Sequence, residues 1–446
     1  MMLLRRTWKI VKWLLLIAVA CILLVILINL FDRKPSPAAV ELAKPFVNTL
    51  QDRDNAYLYM LGFDADKNSD PIDAGRRRLD KYNQANALGF GTTDPVEPIP
   101  ESHINIEKFC NPLAQRCLQE IRAADQKKLR ATLTANAHLL GRYRTLQKFQ
   151  SFEEQAVAGP HLPNIALHTQ AQNLFLTEIT AQYIGGKREE PLQALEMDIR
   201  FNRLVFEQSR SLIMKMIATV QLHKNYRLLG EFIADMRLED LRRYEALIAR
   251  ALIFSESSLD MSPAIRYEND FIRKVGEILG NNKALSSLPE QRLDYLLSFL
   301  TRLVYNRQDF ENQTAKWVSE YMAVSRLKPH EWVQERAALT HRLESMAQPD
   351  ISWAYNPIGR ISAWMASTSY VDYIDRVFDL YAMNRLVGAS WKIRLMNTGV
   401  SEANKKLPTE WCNPYTGLPF DWNGETRELG FDPLHKRADR KYSLSL

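Results

Sequence analysis

The run from Trp13 to Phe31, WLLLIAVACILLVILINLF, holds no ionisable side chain except Cys21. As an α-helix rising about 1.5 Å per residue it would be about 28 Å long, close to the hydrocarbon thickness of a bilayer. A helix that is apolar all round must either cross a membrane or be wrapped by protein. The run therefore divides the chain into a short head and a long body, and it fixes where the body can lie.

Arg5, Arg6, Lys9 and Lys12 precede the run, and Asp32, Arg33 and Lys34 follow it. The excess of cations on the amino side predicts a cytoplasmic amino terminus, with Trp8 and Trp13 at the headgroup level. The body, from about Lys34, is then expected on the non-cytoplasmic side. Two cleaved alternatives fit less well. A signal peptide needs a shorter apolar stretch and a small-residue cleavage site, whereas Asn29-Leu30-Phe31-Asp32-Arg33-Lys34 offers none and Ala38-Ala39 comes late. Ala18-Val19-Ala20-Cys21 loosely resembles a lipobox, yet the run stays apolar from Ile22 to Leu30. An uncleaved anchor is the expectation, and the bilayer is its partner.

Most of the formal charge of +6 belongs to this head: residues 1–34 carry a net +5, which leaves the body near +1 with both signs interspersed. A nucleic-acid footprint needs a concentrated basic face, so none is expected. Glycine, 17 of 446 residues, lies below the usual share of about 7%, which favours helices over turn-rich β architecture.

The fold class expected is all-α: one transmembrane helix, a large helical bundle or stacked array, and an irregular carboxyl-terminal cap. The expected segments are a cytoplasmic amino terminus over 1–12, the span over 13–31, and membrane-proximal helices with a long loop over 38–116. A helical array over 117–406 and the cap over 407–446 complete the chain. Helical pattern runs from Ala38 to Leu61, broken at Pro45, and again around Ala74 to Ala87. Leu88 to Pro112 carries too many glycines and prolines for regular structure. Helices are predicted from Leu118 to about Phe149 with a bend near Ala137, over Ile165–Ile184, and after Pro191. A stripe through Leu192, Leu195, Ile199, Phe206, Ile213, Ile217 and Val220 is expected to face inward, interrupted at Asn202 and Ser209. Leu293 to Val304 forms another stripe. One helix is expected to end before Lys328-Pro329 and the next to start at Pro329 and reach about Met346. Trp353 to Gly359 reads as a break before a helix near Tyr370–Leu386, and WCNPYTGLPFDW as the turn-rich cap. No fixed repeat recurs.

Of the cysteines, Cys110 and Cys117 flank Asn111-Pro112, where a short turn can bring them together. In an oxidising compartment they are expected to be bridged, with a pair of free buried thiols as the alternative. Cys412 is left over.

No catalytic, cofactor-binding or metal-binding residue is assigned. Asp64, Asp66, Asn68 and Asp70 alternate like the start of a calcium loop, but Ser69 replaces the glycine and Gly75 the closing glutamate, which favours a solvated acidic turn. The eight histidines, among them His103, His138, His161, His168, His223, His341 and His435, form no ligand spacing. His330-Glu331-Trp332-Val333-Gln334 puts glutamine at the second zinc ligand position. Ser325-Arg326-Leu327-Lys328 matches S-x-x-K without the partner motif. Glu153-Glu154 and Glu189-Glu190 read as solvated helix faces, and Met214, Trp317 and Trp364 as core.

Several short stretches resemble a known pattern. They are Leu212-Ile213-Met214-Lys215-Met216-Ile217-Ala218 followed by Leu228-Leu229-Gly230-Glu231, Asn55-Ala56-Tyr57-Leu58 to Leu61-Gly62-Phe63, and Cys110…Cys117 leading into Leu139-Leu140-Gly141-Arg142-Tyr143. Asn413-Pro414-Tyr415-Thr416-Gly417-Leu418-Pro419 is similar to the D/N-P-F/Y-T-G-x-P turn that closes many exported bacterial chains. Together they resemble an uncharacterised proteobacterial family of membrane-anchored, mostly helical periplasmic proteins. The resemblance touches about half the body, implies a bacterial inner membrane and periplasm, and brings no activity. The function expected is an envelope scaffold or interaction protein with an envelope protein as partner. The alternative is a hydrolase acting on peptidoglycan or glycan through carboxylates that meet only in three dimensions.

Overall fold

The computed structural model describes residues 2–87, 110–113, 116–156, 162–280, 303–348, 350–367, 370–435 and 441–446. Most of the loop over 88–112, His103, Gly159, Pro160, His161 and the stripe from Leu293 to Leu300 lie outside the described residues. α1 (Met2–Ile28) ends three residues before the apolar run does, and the part long and apolar enough to cross a membrane is Trp8–Ile28. Asn29 ends it. Its Nδ2 donates back to the Val25 carbonyl at 2.7 Å and across to the Ala354 carbonyl at 2.9 Å, so the chain leaves the helix where it meets the body.

α2 (Pro37–Leu42) starts on the Ser36 cap with Pro37 in its first turn. The helix expected to run on to Leu61 is interrupted by far more than a kink. The chain is extended as far as a 3-10 turn at Asp52–Asp54, and α3 (Ala56–Leu61) follows. The cause is a remote acceptor: the Glu153 carboxylate takes the amides of Thr49 and Leu50 at 2.9 and 3.0 Å, which draws them away from helical partners. α4 (Pro71–Ala87) comes next. Then α5 (Cys117–Ala123), α6 (Gln126–Ala135) and α7 (Ala137–Leu146) divide one expected helix, with the Asp125 cap and Asn136 at the breaks.

α8 (Ile165–Ile184) begins on Asn164 and stops at Gly185-Gly186, where Gly186 adopts φ +91°. α9 (Glu189–Gln208) carries Pro191 in its first turn, and Ser209 marks its end. α10 (Leu212–Asp235), α11 (Leu238–Arg243), α12 (Glu245–Ala251) and α13 (Ser262–Gly280) follow. α14 (Arg307–Val324) and α15 (Pro329–Ala347) meet at the expected Lys328-Pro329 boundary. The break expected over Trp353–Gly359 is shorter: Asn356 turns the chain in the left-handed region at φ 54°, and Pro357 opens α16 (Pro357–Ala366). α17 (Val371–Met396) and α18 (Val400–Lys405) complete the helices. The cap contains an antiparallel sheet of β1 (Asp421–Asn423), β2 (Glu428–Phe431) and β3 (Tyr442–Ser445), in that order.

The fold is all-α with a small cap, and α10 is its axis. It packs against both α9 and α17, burying Met214, Ala218, Leu222, Leu229, Phe232 and Ile233 in one continuous core. Near its carboxyl end a Cβ on Gly230 would come within 2.8 Å of the Leu444 side chain, so glycine lets β3 close over the helix. From Leu212 to Gly230 the helix rises about 27 Å. At its amino end the Leu212 amide donates to Glu268 of α13 at 3.1 Å.

A second, smaller cluster of Tyr305, Phe310 and Ala363, backed by Ile272 and Ile358, joins α13, α14 and α16 beside the end of α1. Polar side chains bind it to the end of α1. Asn29 Oδ1 accepts from the Asn356 amide at 2.5 Å and from Asn306 Nδ2 at 3.1 Å. Asp32 caps the start of α14 through the Gln308 and Asp309 amides at 2.7 and 3.1 Å. The Tyr355 hydroxyl donates to the Phe31 carbonyl at 2.9 Å, and the Arg33 guanidinium lies over its ring.

Candidate interaction site

The helix at the centre of the body is apolar on two faces. Its inner face is the core already described. Its outer face carries Ile213, Met216, Ile217 and Val220 at spacings of three, one and three residues, a stripe at helical period. Ile213 remains 46% exposed and Val220 43%. With Ile165 of α8 and Tyr373 of α17 they line a shallow, almost wholly apolar groove of about 350 Å³. The inward stripe expected from sequence is thus corrected at Ile213 and Val220, whereas Ile217 is half-buried against the core. The inner face is filled by Met214, Ala218 and Leu222. Periodicity finds both stripes on a doubly apolar helix and gives no sign of which one the neighbours cover.

A larger cleft, about 720 Å³, lies at the other end of α10 between α5, α10 and the cap. Arg116, Arg122, Arg227, Glu231, Asp235 and Glu428 give it charge of both signs. Glu231 Oε1 and Oε2 accept the amides of Cys117 and Leu118 at 3.0 and 2.8 Å, satisfying donors at the start of α5. Burial pushes the Glu231 carboxyl above its ordinary range. Asp235, one turn further on, is held below it: burial opposes, but Arg122 at 2.6 Å and Arg188 prevail. Two carboxyls with separated affinities for protons therefore share one cleft.

The bridge expected between Cys110 and Cys117 is present, with an S–S distance of 2.03 Å. It ties residue 110 to the first turn of α5, which Glu231 ties in turn to α10. Cys412 is buried with a free thiol, 3.7 Å from the Pro408 carbonyl.

The acidic turn after α3 is occupied by arginines. Arg78 pairs with Asp64, and Arg53 pairs with Asp70. Arg142 reaches in from α7 to the carbonyls of Phe63, Ala65 and Asp66. Those are oxygens a cation would need, and a fixed guanidinium already satisfies them. Among the described residues no cluster of histidine, cysteine, aspartate or glutamate could hold a metal. His168 is buried against the Met60 carbonyl and Phe63, and His223 against Tyr442, and burial pushes each imidazole down to about 4. Ser325 is buried, its hydroxyl on the Met322 carbonyl, and Glu331 caps α15 through the Lys328 amide. Met214 and Trp317 are core as expected, whereas Trp364 is exposed.

Glu153 and Glu154 are not solvated. Both are buried, and they bind opposite sides of the chain. Glu153 takes the Thr49 and Leu50 amides, and Glu154 takes the Arg210 and Ser211 amides at 2.6 and 2.7 Å. Their partners lie far off in sequence, so no local pattern marks them. Asp198 also escaped sequence reasoning. It is fully buried in α9 and accepts from Tyr143 at 2.8 Å, Gln147 at 2.7 Å and Gln172 at 3.2 Å, joining α7, α8 and α9. Its place three residues after Leu195, on the inner stripe, was the available signal.

No family model, curated protein or solved structure matches the chain.

Proposed function

We propose that this chain is a single-pass protein of the bacterial inner membrane, amino end in the cytoplasm, whose periplasmic helical body is an envelope scaffold. The observation that carries the reading is the outer stripe of α10. Four apolar side chains at helical spacing stand in a groove, a surface suited to the apolar face of a partner's helix. The charge pattern around α1 supports the orientation, and a disulfide beside the cleft suits an oxidising compartment. The family resemblance points to the same envelope. A photocrosslinking residue at Ile213 or Val220, activated in the native cell before gentle solubilisation, tests it. One envelope protein recovered in near-stoichiometric amount, and lost when the position not carrying the crosslinker is changed (Val220→Glu or Ile213→Glu), is the expected result. A chain that comes out alone overturns the reading.

A hydrolase acting on peptidoglycan or glycan remains the second reading, favoured by Glu231 and Asp235 together in the larger cleft. Against it, both Glu231 oxygens already accept backbone amides. Muropeptides released from purified peptidoglycan by the intact chain, and not by Glu231→Gln, would favour it over the scaffold.

A further inference from the structure

α16 carries large apolar side chains on its outward side as well as a small apolar inward face. Gly359 and Ala363 face the protein and are buried, while Ile361, Trp364 and Met365 project from the opposite side at spacings of three and one. Met365 is 74% exposed. The 3-10 turn just before the helix adds Ile351 at 93% exposure. Large apolar residues packed this closely at the surface mark a face that something covers.

What covers it follows from where it lies. The Ala354 carbonyl and the Asn356 amide bond Asn29, and Tyr355 bonds Phe31, so the start of α16 is one hydrogen bond from the end of the span. Val25 and Ile26, in the last turns of the apolar helix, are half-buried. The exposed face is thus continuous with a surface already at bilayer depth. Tryptophan with isoleucine and methionine on one side of a short helix, and Arg360 turned back to Tyr355 and Ser352, suits the boundary between headgroups and acyl chains.

We propose that the Ile351–Ala366 segment lies in the outer surface of the bilayer that α1 crosses. The chain then grips one membrane twice, by a span and by an interfacial helix, which fixes the tilt of the body. The proposal rests on α1 being a membrane span, as inferred above.

The test uses the full chain reconstituted in phosphatidylethanolamine–phosphatidylglycerol vesicles containing a phospholipid with a photoactivatable diazirine in its acyl chain. After illumination and trypsin digestion, label is quantified by peptide. The peptide beginning at Ile361 is expected to carry label at least about ten-fold above peptides from α11 and α12, as burial of an apolar face among acyl chains requires. The Ile361→Ser, Trp364→Ser, Met365→Ser variant is expected to lose that label while α1 keeps its own. If α1 is labelled and the Ile361 peptide is not, this proposal fails and the anchor stands. If α1 is unlabelled, the anchor reading fails first. Label that survives the triple substitution unchanged also overturns the proposal, since it would then not arise from those side chains.

Discussion

The base and the body of this molecule are held together by different forces. At the base, α13, α14 and α16 meet in a small apolar cluster set apart from the main core, to which α13 and α14 also contribute Ile265, Trp317, Val318 and Tyr321. Their position against α1 is set by Asn29, Asp32, Asn306, Asp309 and Asn356. In the body, α8, α9, α10 and α17 bury one continuous core, with the Asp198 carboxylate hydrogen-bonded inside it. Apolar burial is large and non-directional, at about 25 cal/mol per Å² removed from water. A hydrogen bond contributes about 1 kcal/mol net but constrains geometry. The difference teaches that the body supplies stability while the base supplies aim: polar contacts fix how the body stands on α1.

The strongest way to break this comparison is in the core. Phe232 is fully buried and stacked on Tyr183, ring centroids 4.1 Å apart. Phe232→Ala should lower the stability of the whole body by about 3–5 kcal/mol, read by urea denaturation of the detergent-solubilised chain. Loss confined to the base would contradict a single core.

Asn356→Ala should cost about 3 kcal/mol, but locally. It strands the Asn306 and Gly359 amides, which donate to Asn356 Oδ1 at 2.8 and 3.0 Å, and it forces alanine into a left-handed conformation. Hydrogen exchange should rise in α14 and α16 while α8 to α10 stay protected. Asn356→Gly relieves the backbone alone, so it should recover about 1 kcal/mol of the loss. Uniform loss of protection would show that base and body unfold together.

The cap gives a pH-dependent version. Asp379 accepts from the Tyr415 hydroxyl at 2.6 Å and from the Leu434 and His435 amides at 2.9 and 3.1 Å, and burial pushes its carboxyl up to about 6. The fold therefore holds this proton more tightly than the unfolded chain does. Its contribution is fully present below pH 4 and is lost as pH rises through 6, by about 2–3 kcal/mol. His168 and His223, pushed down to about 4, act in the opposite sense below pH 6.5, so the difference between wild type and Asp379→Asn is the informative quantity. Wild-type stability relative to Asp379→Asn should fall by about 2–3 kcal/mol as pH rises from 4 to 7 in parallel denaturation series. A constant difference would remove Asp379 as the titrating group.

What the sequence made legible was whatever depends on neighbours along the chain. α8 matches its expected limits because Asn164 and Gly185-Gly186 are local signals. The disulfide was readable because seven residues and a proline turn bring its sulfurs together. The Glu153–Glu154 clamp was not, since its partners are about a hundred residues upstream and more than fifty downstream. The outward faces of α10 and α16 were hidden for a different reason. An apolar residue at helical spacing is assigned to the core by default, and only the packing reveals that Ile213 and Trp364 stand half exposed among the described residues.

The smallest expected effect is also the sharpest test of that last point. Ile213 and Met214 are neighbours on α10, one in the groove and one fully buried. Met214→Ala opens a cavity in the core and should cost about 2–5 kcal/mol. Ile213→Ala removes side-chain atoms that water already reaches, and alanine favours the helix, so its effect should stay within about 0.5 kcal/mol. The same substitution should nonetheless weaken recovery of the partner after crosslinking from Val220, because an interface side chain matters to binding and not to folding. Equal costs for the two would mean that the chain itself covers the outer stripe, and the groove could then receive no partner.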